Sequence, residues 1–398
     1  MLRDILIYLP MFVSLLWSLV LLSSLPKYNK AKFLLGIFMF VCFLLFLSYA
    51  FYYKNQIEVF IYFDILFIFT SLSVFPLNYC YIKFLTVETE FRLRNIRLFI
   101  PAMAIGVISI INYIIMTPEQ RTFYVTECIF NNRFIWDTDF IVVFQKSISK
   151  LIPIMYVIQI LYTFFKSKKY LQEFNTRIAD FYSNIQDKTI NWAGHILNSV
   201  IISLVVSVLF TILGRKFFMD SEYTIAIPSI AFSTILFIAG NLGNAQNFTI
   251  SNFENDIQKN DIDKSQNEPI IELATNTHVS KKLRKELLNL FEKKHIYTNP
   301  DLQISDIATM LHTNRTYISQ AINQEFSCTF SAFVNTYRIN KSKELLETDI
   351  EKKQSLEQIS QQVGFGSLHS FIRVFKEQEG CTPGNYREST LSTNSNVI

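Results

Sequence analysis

Residues Gly364–Arg387, GFGSLHSFIRVFKEQEGCTPGNYR, encode one complete helix together with its start and stop signals. Ser367 is suited to cap this helix, because a serine hydroxyl can accept hydrogen bonds from the free amide groups of a first turn. Phe371 and Phe375 lie four residues apart, so both side chains fall on one face. Gly380 can adopt the left-handed conformation in which many helices end. The stretch predicts a short helix that follows a tight turn and packs through an aromatic face.

A second short helix is predicted directly before this stretch. The run Ser355–Gln358 is a capping box, in which the first and fourth side chains bond to each other's backbone amides. The helix would continue through Ile359 and Val363 and end at Gly364. Two helices joined by a short turn form the helix-turn-helix pattern, whose second helix enters the major groove of DNA.

The same pattern occurs once more, about fifty residues upstream. Apolar side chains at helical spacing predict a helix over Ile304–Leu311, and His312 and Thr313 form a break. Asn314 can cap the helix that follows, which would point Ile318 inward. A long helix, Phe330–Glu347, is predicted between the two units, and an amphipathic helix with Leu283, Leu287, Leu288 and Phe291 on one face precedes both.

Two helix-turn-helix units joined by a long helix resemble the AraC/XylS-type DNA-binding domain. The run Thr336–Leu346 is similar to the linker helix of that family, and the resemblance covers roughly Ser280–Arg387. The residues that match the family's C-terminal signature are Gly364, Phe365, Ser367, Phe371, Phe375, Lys376, Gly380, Thr382, Pro383, Tyr386 and Arg387.

The resemblance implies that outward side chains near the start of each second helix read base edges. In the first unit these are Arg315, Thr316, Ser319, Gln320 and Asn323; in the second they are Leu368, His369, Ile372 and Arg373. Arg373 suits guanine, Gln320 suits adenine and Ile372 suits the thymine methyl group. The alternative for each residue is an ordinary solvated helix face.

Phosphate contacts must come from particular basic residues, because residues 271–390 carry 15 Lys and Arg against 14 Asp and Glu. The candidates for phosphate contact are Lys341, Lys343, Lys352, Lys353 and Lys376.

The N-terminal part of the chain has a different composition. Of the 398 residues, 50% are hydrophobic and only 18% are charged, and the apolar residues concentrate before residue 250. A helix needs roughly 20 apolar residues to cross a bilayer. The seven predicted spans are Ile5–Leu25, Phe33–Tyr53, Val59–Ile82, Leu98–Met116, Ile141–Phe165, Ala193–Leu213 and Ile225–Phe248. The first of them could instead be a cleaved signal peptide, although it is long for one.

Basic residues predict the orientation of these spans. Twelve Lys and Arg follow spans one, three and five, against six on the opposite side. The positive-inside rule then places the N-terminus outside and, after seven crossings, the C-terminal part in the bacterial cytoplasm. Between spans five and six, Lys166–Asn191 has apolar residues at helical spacing and predicts an amphipathic cytoplasmic helix.

Among the polar residues within the spans, Asp64 lies deepest, and an ionisable residue at that depth suggests a role in membrane sensing. The five cysteines form no CxxC pair, and we find no metal, cofactor or catalytic motif. We therefore expect no enzyme activity and no cofactor.

The sequence predicts an all-α protein in four parts: a transmembrane domain (residues 1–250), a linker (251–279), an AraC-type domain (280–390) and a disordered tail (391–398). The expected function is one-component signalling, in which a signal in the membrane changes operator binding in the cytoplasm. The expected partners are double-stranded DNA, the lipid bilayer, an unknown small ligand or membrane signal, and a second copy in a homodimer. The alternative is a transporter-like or anchoring protein whose C-terminal helices form a protein-interaction module.

Overall fold

The computed structural model describes residues 2–23, 29–90, 92–133, 138–220, 222–265, 277–348 and 354–395. Every regular element in these ranges is a helix, which confirms the all-α class. Two extended residues of the described part, Tyr182 and Gln303, pair as an isolated antiparallel bridge. Contacts divide the chain into two compact units, Met1–Gln172 with Ile190–Ser251 and Glu173–Thr189 with Asn252–Ile398.

The first unit consists of long apolar helices. Its helices are α1 (Leu2–Leu22), α2 (Lys30–Tyr53), α3 (Ile57–Thr86), a 3-10 helix (Leu93–Phe99), α4 (Ile100–Ile115), α5 (Pro118–Phe123), a π-helix (Tyr124–Phe130), the first part of α6 (Phe140–Phe181), α7 (Asn191–Asp220) and α8 (Glu222–Ala245). Helix α1 packs against α2 and α8, α2 against α3, α3 against α4, and α7 against α8. Trp17 of α1 meets Phe237 of α8 edge-on at 5.7 Å between ring centroids. The last helix of this unit therefore lies beside its first.

Six helices in the described ranges are long and apolar enough to cross a membrane. They are Leu2–Leu22, Lys30–Tyr53, Ile57–Thr86, Arg94–Ile115, Phe140–Phe181 and Tyr223–Lys259, and they overlap predicted spans one to five and seven. The fourth range combines the 3-10 helix with α4, and the last extends from α8 into α9. The sixth predicted span, Ala193–Leu213, lies within α7, where the apolar stretch that the structure describes, Asn191–Val206, is shorter than the other six.

Helix α6 extends far beyond the fifth predicted span, Ile141–Phe165. It has 42 residues, which at 1.5 Å per residue corresponds to about 63 Å. The amphipathic helix expected within Lys166–Asn191 is thus the continuation of α6, with Phe174 and Ile178 buried. The chain leaves the helix at Tyr182, where Ser183 donates its amide hydrogen to the carbonyl of Leu302 at 3.0 Å.

The second unit contains the end of α6 and the remaining helices. These are α9 (Ile250–Ser265), α10 (Thr277–Glu292), a 3-10 turn (Ile296–Thr298), α11 (Ile304–Met310), α12 (Arg315–Phe326), α13 (Phe330–Thr348), α14 (Leu356–Gln362), α15 (Leu368–Glu379) and α16 (Pro383–Ser395). Two differences from the sequence prediction follow. Helix α9 occupies the first part of the expected linker, and α16 runs through most of the expected disordered tail.

Helix α9 has buried apolar side chains in its first turns. Phe253 is buried against the rings of Phe174, Phe181 and Tyr182, and Ile250 is buried as well. Ile250, Phe253 and the half-buried Ile257 are three and four residues apart, so they fall on one face of the helix.

Candidate nucleic-acid interface

The first helix-turn-helix unit consists of α11 and α12. Asp306 accepts a hydrogen bond from the amide of Gln303 at 2.8 Å, which closes the start of α11. His312 turns the chain with a φ of 50°. The Asn314 side chain then accepts from the amide of Tyr317 at 3.0 Å and caps α12, as the sequence predicts.

The second unit, α14 and α15, repeats this plan. Ser355 and Gln358 each accept from the other's amide, at 3.1 and 2.8 Å, which confirms the predicted capping box. Ser367 caps α15 by accepting from the amide of Ser370 at 3.2 Å. Gly380 ends α15 in the left-handed region, with a φ of 76°.

Gly364 occupies the turn of the second unit, with a φ of 93°. A side chain there would bring its Cβ within 2.5 Å of the Tyr297 carbonyl oxygen and 2.6 Å of that of Thr298. Both the backbone conformation and the space therefore require glycine at this position.

The signature aromatic residues form the core beneath α15. Phe371 and Phe375 are fully buried together with Ile339 and Leu346 of α13. Tyr386 packs against Phe375 at 5.4 Å between ring centroids, and its hydroxyl donates to Glu347 at 2.6 Å. Helix α15 is thus held against both α13 and α16.

Arg338 is a structural residue that the sequence reasoning treated only as one member of the linker-helix run. It is 0% exposed, and its guanidinium donates to the carbonyls of Tyr297 and Asn299, both at 2.8 Å. It also lies 5.6 Å from the ring centroid of Phe365, in the turn of the second unit. Burial lowers the pKa of Arg338 to about 10, so the group stays charged at neutral pH. The signal in the sequence was an arginine one turn after the core residue Val334.

The predicted reading residues of the first unit are all accessible. Thr316, Gln320 and Asn323 are exposed, and Arg315 and Ser319 are half-buried. Asn323 donates to the Ser319 hydroxyl at 3.3 Å. One face of α12 therefore presents hydrogen-bonding groups of the kind that read base edges.

The predicted reading residues of the second unit are less polar and less exposed than those of the first. His369 is exposed, whereas Leu368, Ile372 and Arg373 are half-buried. Leu368 packs against the core beneath α15, which accounts for its apolar character. Arg373 donates to Glu377 of the same helix at 2.9 Å. A guanine would have to compete with this carboxylate for the guanidinium.

The predicted phosphate contacts differ in their environment. Lys341 pairs with Glu344 at 2.7 Å, and Lys343 pairs with Glu379 at 2.9 Å. Lys376 is exposed in the last turn of α15. Lys352 and Lys353 lie outside the residues that the structure describes.

Asp64 lies inside the first unit and is 4% exposed. It accepts a hydrogen bond from the Tyr113 hydroxyl at 2.7 Å. Asp64 and the buried Lys146, whose ammonium donates to the Cys128 carbonyl, line a cavity of about 460 Å³. Most of the other lining residues are apolar, including Phe38, Phe46, Ile68, Phe232 and Leu236. Among the described residues, no group of His, Cys, Asp and Glu is arranged to hold a metal ion.

Comparison with known proteins identifies the helical repeat. The family described as a helix-turn-helix domain matches residues 307–389, which span α11 to α16. The chain is 35% identical over 105 residues to an uncharacterized HTH-type transcriptional regulator of Bacillus subtilis, YtdP, covering 26% of this chain and 13% of that protein. YfiF, another uncharacterized HTH-type transcriptional regulator of B. subtilis, is 34% identical over 97 residues, which cover 24% of this chain and 30% of that protein. The Msm operon regulatory protein of Streptococcus mutans is 28% identical over 94 residues, covering 24% and 33%.

The chain spans a third or less of the length of these relatives, and no solved structure matches it. The matched residues coincide with the two units built above and with the linker helix between them. The C-terminal part of this chain is therefore an AraC-type helix-turn-helix domain, and it follows an N-terminal region of long apolar helices.

Proposed function

We propose that the chain is a membrane-embedded transcription regulator that binds operator DNA through α12 and α15. The observation that carries this proposal is the repeat. Two units use the same sequence of caps and turns, and each leaves the start of its second helix accessible. The second helix of such a unit is the one that enters the major groove.

Exposed apolar side chains support the membrane part of the proposal. Ile114 is 71% exposed, Ile227 is 76% and Phe140 is 81%, all on long apolar helices. Contiguous exposed apolar surface is unfavourable in water and expected in lipid. With α7 counted as a seventh crossing, the distribution of Lys and Arg supports a topology with the N-terminus outside and the DNA-binding domain in the cytoplasm of a bacterium.

The cavity around Asp64 is the proposed site of the signal. Asp64 and Lys146 carry opposite charges and line the same cavity, so the lining has no net charge that would favour an ion of either sign. A neutral amphiphile that offers an apolar chain and one hydrogen-bonding head group fits this lining. Such a ligand changes operator binding only if it binds one conformation more tightly than another.

The ligand class can be tested with dodecanol, dodecylamine and dodecanoate added to the protein in detergent. Dodecanol should raise the thermal unfolding temperature of the first unit, and Asp64→Asn should reduce that shift. Equal shifts from all three probes, or a dodecanol shift that Asp64→Asn leaves unchanged, would contradict the proposed site.

Operator binding can be tested with the full chain in lipid nanodiscs and a library of genomic duplexes. We expect selected fragments that bind in a salt-dependent way. Lys376→Ala should weaken binding equally for all fragments and lower the salt slope by about 1. Arg373→Ala should relax the preference at one base pair. A folded chain that selects no duplex at low salt would favour the alternative of a protein-interaction module.

The orientation can be tested with reporters fused at two positions. A reporter at Glu127 should behave as extracytoplasmic and one at Asn255 as cytoplasmic. The opposite pattern, or both reporters on the same side, would overturn the proposed topology.

A further inference from the structure

The loop that follows α6, Tyr182–Gln186, contacts three parts of the helix-turn-helix domain: the residues before α11, the linker helix α13 and the start of α15. It precedes α11 by more than a hundred residues and belongs to the same compact unit. Tyr182 and Ser183 are buried, with Ser183 only 1% exposed. The loop is also held at its start, because the Tyr182 hydroxyl donates to Asp256 of α9 at 2.5 Å.

The loop meets the first unit through its backbone. Tyr182 forms the isolated bridge with Gln303, and the Ser183 amide donates to the Leu302 carbonyl at 3.0 Å. Leu302 and Gln303 are the two residues directly before α11. The start of the first helix-turn-helix unit is therefore tied to this loop.

The loop contacts the linker helix α13 through the backbone carbonyl and the side-chain hydroxyl of Ser183. The Ser331 hydroxyl donates to the Ser183 carbonyl at 3.1 Å, and the Arg338 guanidinium donates to the Ser183 hydroxyl at 3.2 Å. Because Arg338 also bonds to the carbonyls of Tyr297 and Asn299, Ser183 joins the polar network around the buried guanidinium. Such networks fix the relative position of the elements they connect.

The loop meets the second unit through Gln186 and Asn184. The Ser367 hydroxyl, which caps α15, donates to the Gln186 side-chain oxygen at 2.6 Å. The adjacent Gly366 lies so close that a Cβ there would be 2.1 Å from the Asn184 amide nitrogen. The loop therefore contacts the residues on which the second recognition helix begins.

We infer that Tyr182–Gln186 is a clamp that sets the position of α15 relative to α12, with Ser183 and Gln186 as positioning residues for operator binding. This inference rests on the proposed DNA-binding function. The contacts reach Leu302 before the first unit, Ser331 and Arg338 on the linker helix, and Ser367 at the start of α15.

The position of the two helices matters because DNA is a regular helix. A change of one base pair in the spacing of two half-sites moves the second by about 3.4 Å and rotates it by roughly 35°. A protein with two helices held at a fixed separation prefers one spacing, whereas a protein with a loosened clamp tolerates several. The expected signature is a change in spacing preference.

The experiment uses the full chain in nanodiscs and a selected operator, in its original form and with one or two base pairs inserted between the half-sites. We expect wild type to bind the original spacing more tightly than the altered ones. Gln186→Ala should lower this ratio of affinities roughly three- to tenfold, the effect of one lost hydrogen bond. Gln186→Glu keeps the acceptor oxygen and should retain the ratio. Its added charge changes the affinity for every spacing alike, so that effect cancels in the ratio.

Two matched variants separate positioning from folding. Gln172→Ala removes an exposed glutamine of α6, the helix that the loop follows, and should change nothing. Gly366→Ala should lower the ratio by displacing Asn184, and the added change Asn184→Ala should restore it.

The outcomes distinguish the clamp from the function on which it rests. Wild-type binding with a spacing ratio that Gln186→Ala leaves unchanged would overturn the clamp alone. A lowered ratio in Gln186→Glu as well as Gln186→Ala would also contradict it, because the acceptor would not be the cause. Failure of wild type to bind any duplex would overturn the proposed function and the clamp with it.

Discussion

The two helix-turn-helix units share one plan and differ in how they make their turns. The second unit has glycine at both left-handed positions, Gly364 in the turn and Gly380 after α15. The first unit has His312 in the turn and Ser327 after α12, with φ values of 50° and 53°. Residues with a Cβ are strained in this region. Both units therefore place left-handed residues at the turn and at the end of the second helix. The first unit adopts this geometry at a cost in conformational energy, because its residues there are not glycine.

Substitutions at the turn positions should give the largest difference in stability change between the two units. Gly364→Ala should destabilise the second unit by about 3 kcal/mol, because a Cβ would overlap two carbonyl oxygens in a strained conformation. His312→Gly should leave the first unit equally or more stable. Hydrogen exchange of the amides of α15 and α12 in the full chain checks both. Equal protection of α15 in wild type and Gly364→Ala would contradict the asymmetry.

The reading faces should give an intermediate effect and separate the two units by base position. Gln320→Ala on α12 and Arg373→Ala on α15 should each reduce operator affinity by about 1–3 kcal/mol. Each should relax the preference at one base pair, and the two base pairs should lie in different half-sites. Selection of binding sites from randomised duplexes measures this. Relaxation at the same base pair in both variants would show that the units do not read separately.

Substitutions at the left-handed helix ends should have the smallest effect on stability. They also form a matched pair, because each exchanges serine and glycine in the opposite direction. Ser327→Gly should stabilise the first unit by about 0.5–1 kcal/mol, and the reciprocal Gly380→Ser should destabilise the second by a similar amount. Both positions are exposed, so neither residue packs in a core. The expected change in stability therefore comes from the strain of a residue with a Cβ in the left-handed region. Thermal unfolding of the second compact unit measures both. Two changes of the same sign would contradict this reading of the turns.

Local signals made much of the second compact unit predictable from its sequence. The capping box at Ser355, the caps Asn314 and Ser367 and the left-handed end at Gly380 each depend on residues within one helical turn. The aromatic face of α15 follows from the spacing of Phe371 and Phe375. The predicted reading residues lie on accessible parts of α12 and α15, although their contact with DNA stays a prediction.

Contacts between residues distant in the chain were not predictable in the same way. Ser183 and Gln186 lie in a polar stretch, and their hydrogen-bond partners are 119 to 181 residues away, so no local pattern marks them. The aromatic partners of Phe253 in α9 lie about 70 to 80 residues earlier in the chain, so local sequence does not reveal them. The sequence predicts a separate helix after the fifth span, because the change from apolar to amphipathic composition resembles a helix boundary, whereas the backbone of α6 continues to Phe181.

A footprint of the full chain on a selected operator tests the central claim most directly. With the protein in lipid nanodiscs, the account predicts two protected major-groove patches on one face of the duplex, about one helical turn or ~10 base pairs apart. Gln320→Ala and Arg373→Ala should each weaken protection in a different patch. A single protected patch, or no protection by a folded chain at low salt, would contradict a membrane-embedded regulator that reads DNA with two helices.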